Sequence, residues 1–260
     1  MPGEKVIPAE NPSRTKAEPA TAGRSLRRIF RQDDTLRKIT VQPATVSLLM
    51  NETRLRIFAH LFLNPGDHVR SIARGTRLNL NSVSLHLSRL ESSEYVGSST
   101  AQGKRVYWPK GMVEPEDIGL LIVIRQDWAI RALKSIAAAA RPLTQKEIAG
   151  AMKCTQQTAD IRLKRMVSIG LLLKHGQGKG AKYTVHSGLP VRYRTYAVRS
   201  KRTAGSAVDI LRKDGLMPSD ARLRGTRLSL NVKVPGSNRR IHLECNPLAP
   251  LKPILSAQKG

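Results

Sequence analysis

Residues 79–90, NLNSVSLHLSRL, decide how this chain reads. Val83, Leu87 and Leu90 fall four and three apart, so they line one side of a helix. Asn79, just ahead of them, is a good N-cap residue. At an offset of 76 the pattern returns in residues 155–166, TQQTADIRLKRM, with Thr155 as the cap and Ala159, Leu163 and Met166 as the buried stripe.

Reading outward from each segment, the neighbouring elements repeat as well. Leu48, Leu49, Leu55, Ile57, Phe58, Leu61 and Phe62 predict a helix from about residue 44, stopped by Asn64-Pro65-Gly66. A short helix over 69–74 follows, with Ile72 and Ala73 inward. Downstream, Trp128, Ile130, Leu133 and Ile136 mark the matching first helix. Thr144 and Glu147 then make a capping box that opens a second short helix with Ile148 and Ala149 inward. Two strands close each set, 95–98 with 105–108 and 171–174 with 182–185. Their tips carry Gln102-Gly103-Lys104 and Gln177-Gly178-Lys179. Cap, core and tip positions coincide between the copies, as an internal duplication requires.

The stretch Asn51-Glu52-Thr53-Arg54-Leu55-Arg56-Ile57, followed by Ser82-Val83-Ser84-Leu85-His86-Leu87-Ser88-Arg89-Leu90, resembles the winged-helix regulators, and within them the ArsR-like repressors. The resemblance covers roughly residues 45–110, and 127–186 looks like a more divergent relative. It implies an α+β, mainly α fold: two tandem winged helix-turn-helix domains with a basic C-terminal extension that contains a β-hairpin. The expected organisation is a disordered basic arm over 1–43 that contains a potential amphipathic helix at 25–38. Winged helices follow over 44–110 and 127–186, joined by a linker over 111–126, and the extension covers 187–260.

That family lays a recognition helix in the major groove and a hairpin wing over the backbone or minor groove. Opposite the first buried stripe stand Asn81, Leu85 and Ser88, flanked by Ser82, Ser84 and Arg89. In the second copy the face holds Gln156, Gln157, Thr158, Asp160, Ile161, Arg162, Lys164 and Arg165. Asn and Gln pair with adenine, Arg with guanine, and hydroxyls with base edges or phosphates. Lys104 and Arg105 on one wing, with Lys179 and Lys182 on the other, suit phosphates. Leu85 and Ile161 are unusual on such a face, and they suit either thymine methyls or a protein partner. Metal-sensing relatives carry a Cys-x-Cys pair where this chain has His68-Val69-Arg70-Ser71-Ile72-Ala73, so no metal is expected there.

The whole chain agrees with a polyanionic partner. Its net charge is +26, from 45 basic and 19 acidic residues. The excess is heaviest in residues 187–260, where Arg192, Arg194, Arg199, Lys201 and Arg202 interleave with Tyr193 and Tyr196. There residues 206–213 read as a helix, 228–245 as a hairpin, and the Pro-rich end from Asn246 as loose. Cys154 and Cys245 are too few for a disulfide scaffold and fit a reducing compartment. The longest apolar run, 118–124, is far too short to span a bilayer. The glycine-rich tip at 176–180 lacks the Gly-Lys-Ser/Thr ending of a phosphate loop, the histidines show no ligand spacing, and no nucleophile–base pair is present.

A non-enzymatic, cytoplasmic, nucleoid-associated DNA-binding regulator is therefore expected, without cofactor or metal. Double-stranded DNA is its partner, and a second copy of the chain or a protein of the transcription machinery would be a further one; no membrane is involved. A replication initiator with fused winged helices, or an interaction module of a polymerase or chromosome assembly, are the alternatives.

Overall fold

A computed structural model describes residues 47–257 apart from 140 and 235. The expected N-terminal arm lies outside the described residues. The described part mixes helix and strand and is mainly helical. Its first half runs α1 (Glu52–Leu63), β1 (Asp67–His68), α2 (Val69–Thr76), α3 (Leu80–Ser92), β2 (Val96–Ala101) and β3 (Lys104–Pro109). After α4 (Ile118–Ile124) the same order returns as α5 (Asp127–Ala138), β4 (Leu143–Thr144), α6 (Gln145–Met152), α7 (Gln156–Ser168), β5 (Leu172–His175) and β6 (Lys182–Val185). Sheet orders match, β1-β3-β2 and β4-β6-β5. The offset extends to register: Asp67 faces Tyr107 as Leu143 faces Tyr183, and Val96 faces Pro109 as Leu172 faces Val185.

Local chemistry explains each helix start. Asn51, Asn79, Thr144 and Thr155 all accept a backbone N–H of the first turn through the side chain, and His68 Nδ1 does the same for Ser71. Around Thr144 the capping box is complete. The Arg141 guanidinium, and after it the Thr144 amide at 2.7 Å, donate to Glu147 and hold its carboxyl down to about 2. The first helix starts at Glu52, later than the apolar pattern suggests. Leu48 and Leu49 belong to a turn instead, whose amides both point at the Asp214 carboxylate.

The stretch expected as a linker, 111–126, is structured and packed. It holds a 3-10 turn (Pro115–Asp117) and α4, whose Ile118, Leu120, Leu121, Val123 and Ile124 are all buried. A helix that is apolar nearly all round needs a neighbour on every side. Gly66 of the first repeat sits against Leu121 and Ile122, while Gly119 sits against Ile169 of the second. Arg125, at the end of α4, donates to the Leu63 carbonyl (2.8 Å), the Pro65 carbonyl (2.9 Å) and Asn64 Oδ1 (2.6 Å). Burial pulls this guanidinium down to about 10, so it stays charged at neutral pH.

The C-terminal extension is larger than the expected hairpin. Residues 192–202 lie inside α8 (Leu189–Lys213), a helix that begins well before the predicted residue 206. Its inward residues are small, Ser200, Ala204 and Ala207, between Tyr196 and Leu211. The Tyr196 hydroxyl donates to Asp117 at 2.7 Å and accepts from the Glu114 amide, and Arg192 pairs with Asp117 at 3.3 Å. A three-stranded antiparallel sheet follows, β7 (Pro218–Arg224), β8 (Arg227–Val234) and β9 (Ser237–Glu244). Leu228, Leu230, Val232, Val234 and Leu243 form its buried side, and β9 lies beside α1 of the first repeat. Residues 248–257 are packed where looseness was expected. Leu248, Leu251, Ile254 and Leu255 are buried, and α9 (Lys252–Ala257) lies on α5. Four apolar residues at helical spacing outweigh the prolines among them.

Candidate nucleic-acid interface

In each repeat the short second helix and the longer third one are joined through a left-handed residue. Arg77 (φ 53°) closes α2 and Lys153 (φ 54°) closes α6, and the two correspond at the offset of 76. Such a conformation costs a side chain about 1–2 kcal/mol relative to right-handed backbone. Glycine would avoid that cost, yet both positions carry an exposed cation. Replacing either by Gly is expected to stabilise the chain by about 0.5–1 kcal/mol in urea unfolding and, at the same time, to weaken binding to duplex DNA. Effects of opposite sign would show that the cation is there for a partner.

On α3 the buried side is Val83, Leu87 and Leu90, and Asn81, Ser84, Leu85, Ser88 and Arg89 are exposed together. Ser82 is half-buried. Behind this face, burial and the neighbouring Arg54 and Arg89 lower the His86 pKa, which keeps its ring neutral at neutral pH. The face of α3 therefore owes its positive charge to Arg89 and to the flanking turn and hairpin.

On α7 the structure brings fewer of the expected residues together. Gln156, Gln157, Ile161 and Lys164 are exposed. Arg162 turns away, with its guanidinium 4.8 Å from the Trp128 ring centroid, where the cation stacks on the π-face. Thr158 is occupied at the helix start, its hydroxyl 2.9 Å from that of Thr155. Arg165 is half-buried, and its buried Nη2 has no hydrogen-bond partner among the described residues. Asp160 pairs with Lys164 at 2.7 Å, so this carboxylate is neutralised on the face itself. Leu85 and Ile161 are 53% and 65% exposed, equivalent apolar points in the middle of two polar faces.

The hairpins differ in a similar way. Lys104 is exposed at the start of β3 with no ion-pair partner among the described residues. Arg105 is exposed but engaged: Nη2 lies 2.5 Å from Glu91, Nε donates to Ser98 at 2.9 Å, and the guanidinium stacks over Tyr107. In the second hairpin Lys182 is exposed at the start of β6, and Lys179 lies in the tip turn Gly178–Gly180.

Other cations lie beside these elements. Arg70 lines a groove with His68, Lys104 and Arg105, and Lys146 is its counterpart on α6. Sequence does carry a signal for Arg70/Lys146 and Arg77/Lys153, as like charges at the repeat offset. Attention to the third helix alone passes over it, since none of the four sits there. No group of metal-ligating side chains occurs among the described residues, and no described helix is long and apolar enough to cross a membrane.

No protein-family model matches the chain. Over 145 residues, 55% of its length, it is 23% identical to the uncharacterized HTH-type transcriptional regulator MJ1398 of Methanocaldococcus jannaschii. The likeness is distant. It covers 35% of that protein, so the chain matches about a third of the relative's length. Among solved structures, the DIP2311 protein from Corynebacterium diphtheriae is 15% identical, over 52% of this chain and 26% of that one, with a TM-score of 0.21.

Proposed function

We propose that this chain is a double-stranded DNA-binding transcriptional regulator, a non-enzymatic protein of the cytoplasm and nucleoid. It is built on two tandem winged helices, the first of ArsR-like type. In this reading α3 and α7 are the recognition helices and the β2–β3 and β5–β6 hairpins are the wings. One observation carries it: element order, sheet order and strand register all repeat at one offset, and each third helix turns a polar face to solvent beside a cationic turn and a cationic hairpin. The distant relative named as a transcriptional regulator supports the same class.

Binding of the full chain to short duplexes, followed by fluorescence anisotropy across a salt series, tests this. Removing one phosphate contact lowers the log–log slope by about 0.9. Lys104→Gln should therefore flatten it by close to that amount. Arg105→Gln should do so by clearly less, because Glu91 already neutralises this guanidinium. Salt-insensitive binding, or none, would sink the reading.

The exposed Leu85 and Ile161 favour a second reading, a protein-interaction module whose third helices dock on a partner. Leu85→Ser and Ile161→Ser separate the two. Altered preference at one base pair supports contact with thymine methyls, whereas weakened self-association with unchanged DNA binding supports the interaction module.

A further inference from the structure

The solvent side of the C-terminal sheet is a cationic platform that neither third helix nor hairpin accounts for. Because Leu228, Leu230, Val232 and Val234 of β8 point inward, Arg227, Ser229, Asn231 and Lys233 point out. Register places Arg222 opposite Ser229 and Arg224 opposite Arg227 on β7, and Arg240 opposite Asn231 on β9. Arg222, Arg224, Arg227, Lys233 and Arg240 are thus five exposed cations on one face, and none forms an ion pair among the described residues. The acidic residues on that face are Asp220, held by Asn231 at 2.8 Å, and Glu244, which caps the Asn246 amide at 3.1 Å.

Like charges directly opposite on neighbouring strands, as at Arg224 and Arg227, destabilise a sheet. The remaining outward residues of the strands are small or polar, Ser229, Asn231, Asn238 and His242; at one end Arg224, Arg227 and Ser229 line a groove with Tyr193 and Lys252. Unpaired guanidinium groups on an exposed, polar strand surface suit phosphate oxygens.

Position separates this face from the third helix of the first repeat. At about 100° per residue, Ile57, Phe58, Leu61 and Phe62 of α1 point one way, into the core shared with α2 and α3. Glu52, Arg56 and Ala59 point the opposite way and line a groove with Arg239, Arg240 and Ile241 of β9. The pair Arg239–Glu52, 2.5 Å apart, fastens that contact. Helix α1 therefore lies between β9 and the core that α1 shares with α2 and α3, so β9 is on the other side of α1 from that core.

We infer that this sheet face binds the phosphate backbone of a second DNA duplex segment, distinct from the one under the recognition helices. The inference rests on the proposed function for the first segment only. The test uses the full chain with two duplexes, one on beads and one fluorescent and free. Wild type should bridge them and bind two duplexes at saturation. The variant R222Q/R224Q/R227Q/K233Q/R240Q should bind one duplex and lose capture of the second by about tenfold or more, because several phosphate contacts vanish together.

Lysine at the four arginine positions should retain capture. If the fivefold variant does not fold, as judged by circular dichroism, the pairs R222Q/R240Q and R224Q/R227Q should each lose part of it. Undiminished capture by folded variants overturns the inference and leaves the recognition helices in place. So does selective loss of RNA binding with DNA capture intact. A wild-type chain that binds no duplex overturns both readings, whereas one whose binding depends on the sheet cations alone overturns only the first.

Discussion

Asp214→Asn is expected to lower the unfolding midpoint by about 6–12 °C, for a loss of about 3 kcal/mol at 2–4 °C per kcal/mol in a chain of this size. The Asp214 side chain is buried at the end of α8 and gathers four donors. The Leu48 amide reaches Oδ1 at 2.8 Å, the Ser47 hydroxyl reaches Oδ2 at 3.0 Å, the Leu49 amide also reaches Oδ2, and the Tyr95 hydroxyl completes the set at 3.1 Å. Asparagine has the same shape but one acceptor oxygen, so its amide nitrogen would face donors. Buried N–H groups would then be left unsatisfied, at about 1–3 kcal/mol each. Tyr95, pushed up to about 12 chiefly by burial and then by Asp214, is a phenol at any ordinary pH. Tyr95→Phe should therefore cost about 1 kcal/mol in the parent and little in the Asp214→Asn background, since the two changes share one contact. Additive losses would show that the carboxylate does not organise this corner.

The second large effect is on affinity. Arg89, Lys104, Lys153 and Lys182 are exposed cations beside the two third helices, and none has an ion-pair partner among the described residues. Changing all four to Gln should lower the salt slope by about 3–4. From 50 to 200 mM salt the variant should then lose about a hundredfold less affinity than the parent. A slope reduced by only half that amount would mean that one repeat alone touches DNA. The second repeat would be the one to doubt, because Arg162 stacks on Trp128 and Lys164 is paired with Asp160.

What can be read in advance follows from how strongly each element announces itself. In the repeats, large apolar residues at helical spacing follow Asn79, Thr144 and Thr155, all of which cap as expected. As sequence, 118–124 is only an apolar run too short for a bilayer, and its true meaning, burial on all sides, needs both repeats in place to become visible. In α8 the inward stripe is Ser200, Ala204 and Ala207, too small to register as a hydrophobic face beside so many arginines. Strand β7 has Leu223 as its one large aliphatic residue and lies almost wholly exposed, so pattern alone cannot find it. At the candidate interface, spacing correctly sets Asn81, Leu85 and Ser88 apart from the core. It cannot foresee that Arg162 prefers an aromatic face, or that Arg105 is tied to Glu91, because both depend on partners remote in sequence.

On the proposed function, the buried helix α4 bears on how two readers would share one operator. Readers on a slack tether search independently, tolerate varied spacing and gain through local concentration. Here the connection is a packed rod riveted at Arg125, with α8 pinned to Asp117 just ahead of it. If both repeats contact DNA as proposed, the pair would behave as a stiff caliper set to one gap and one angular phase. Inserting half a helical turn of DNA between two contacted segments would rotate one of them out of reach, while a whole turn would restore the phase but not the distance.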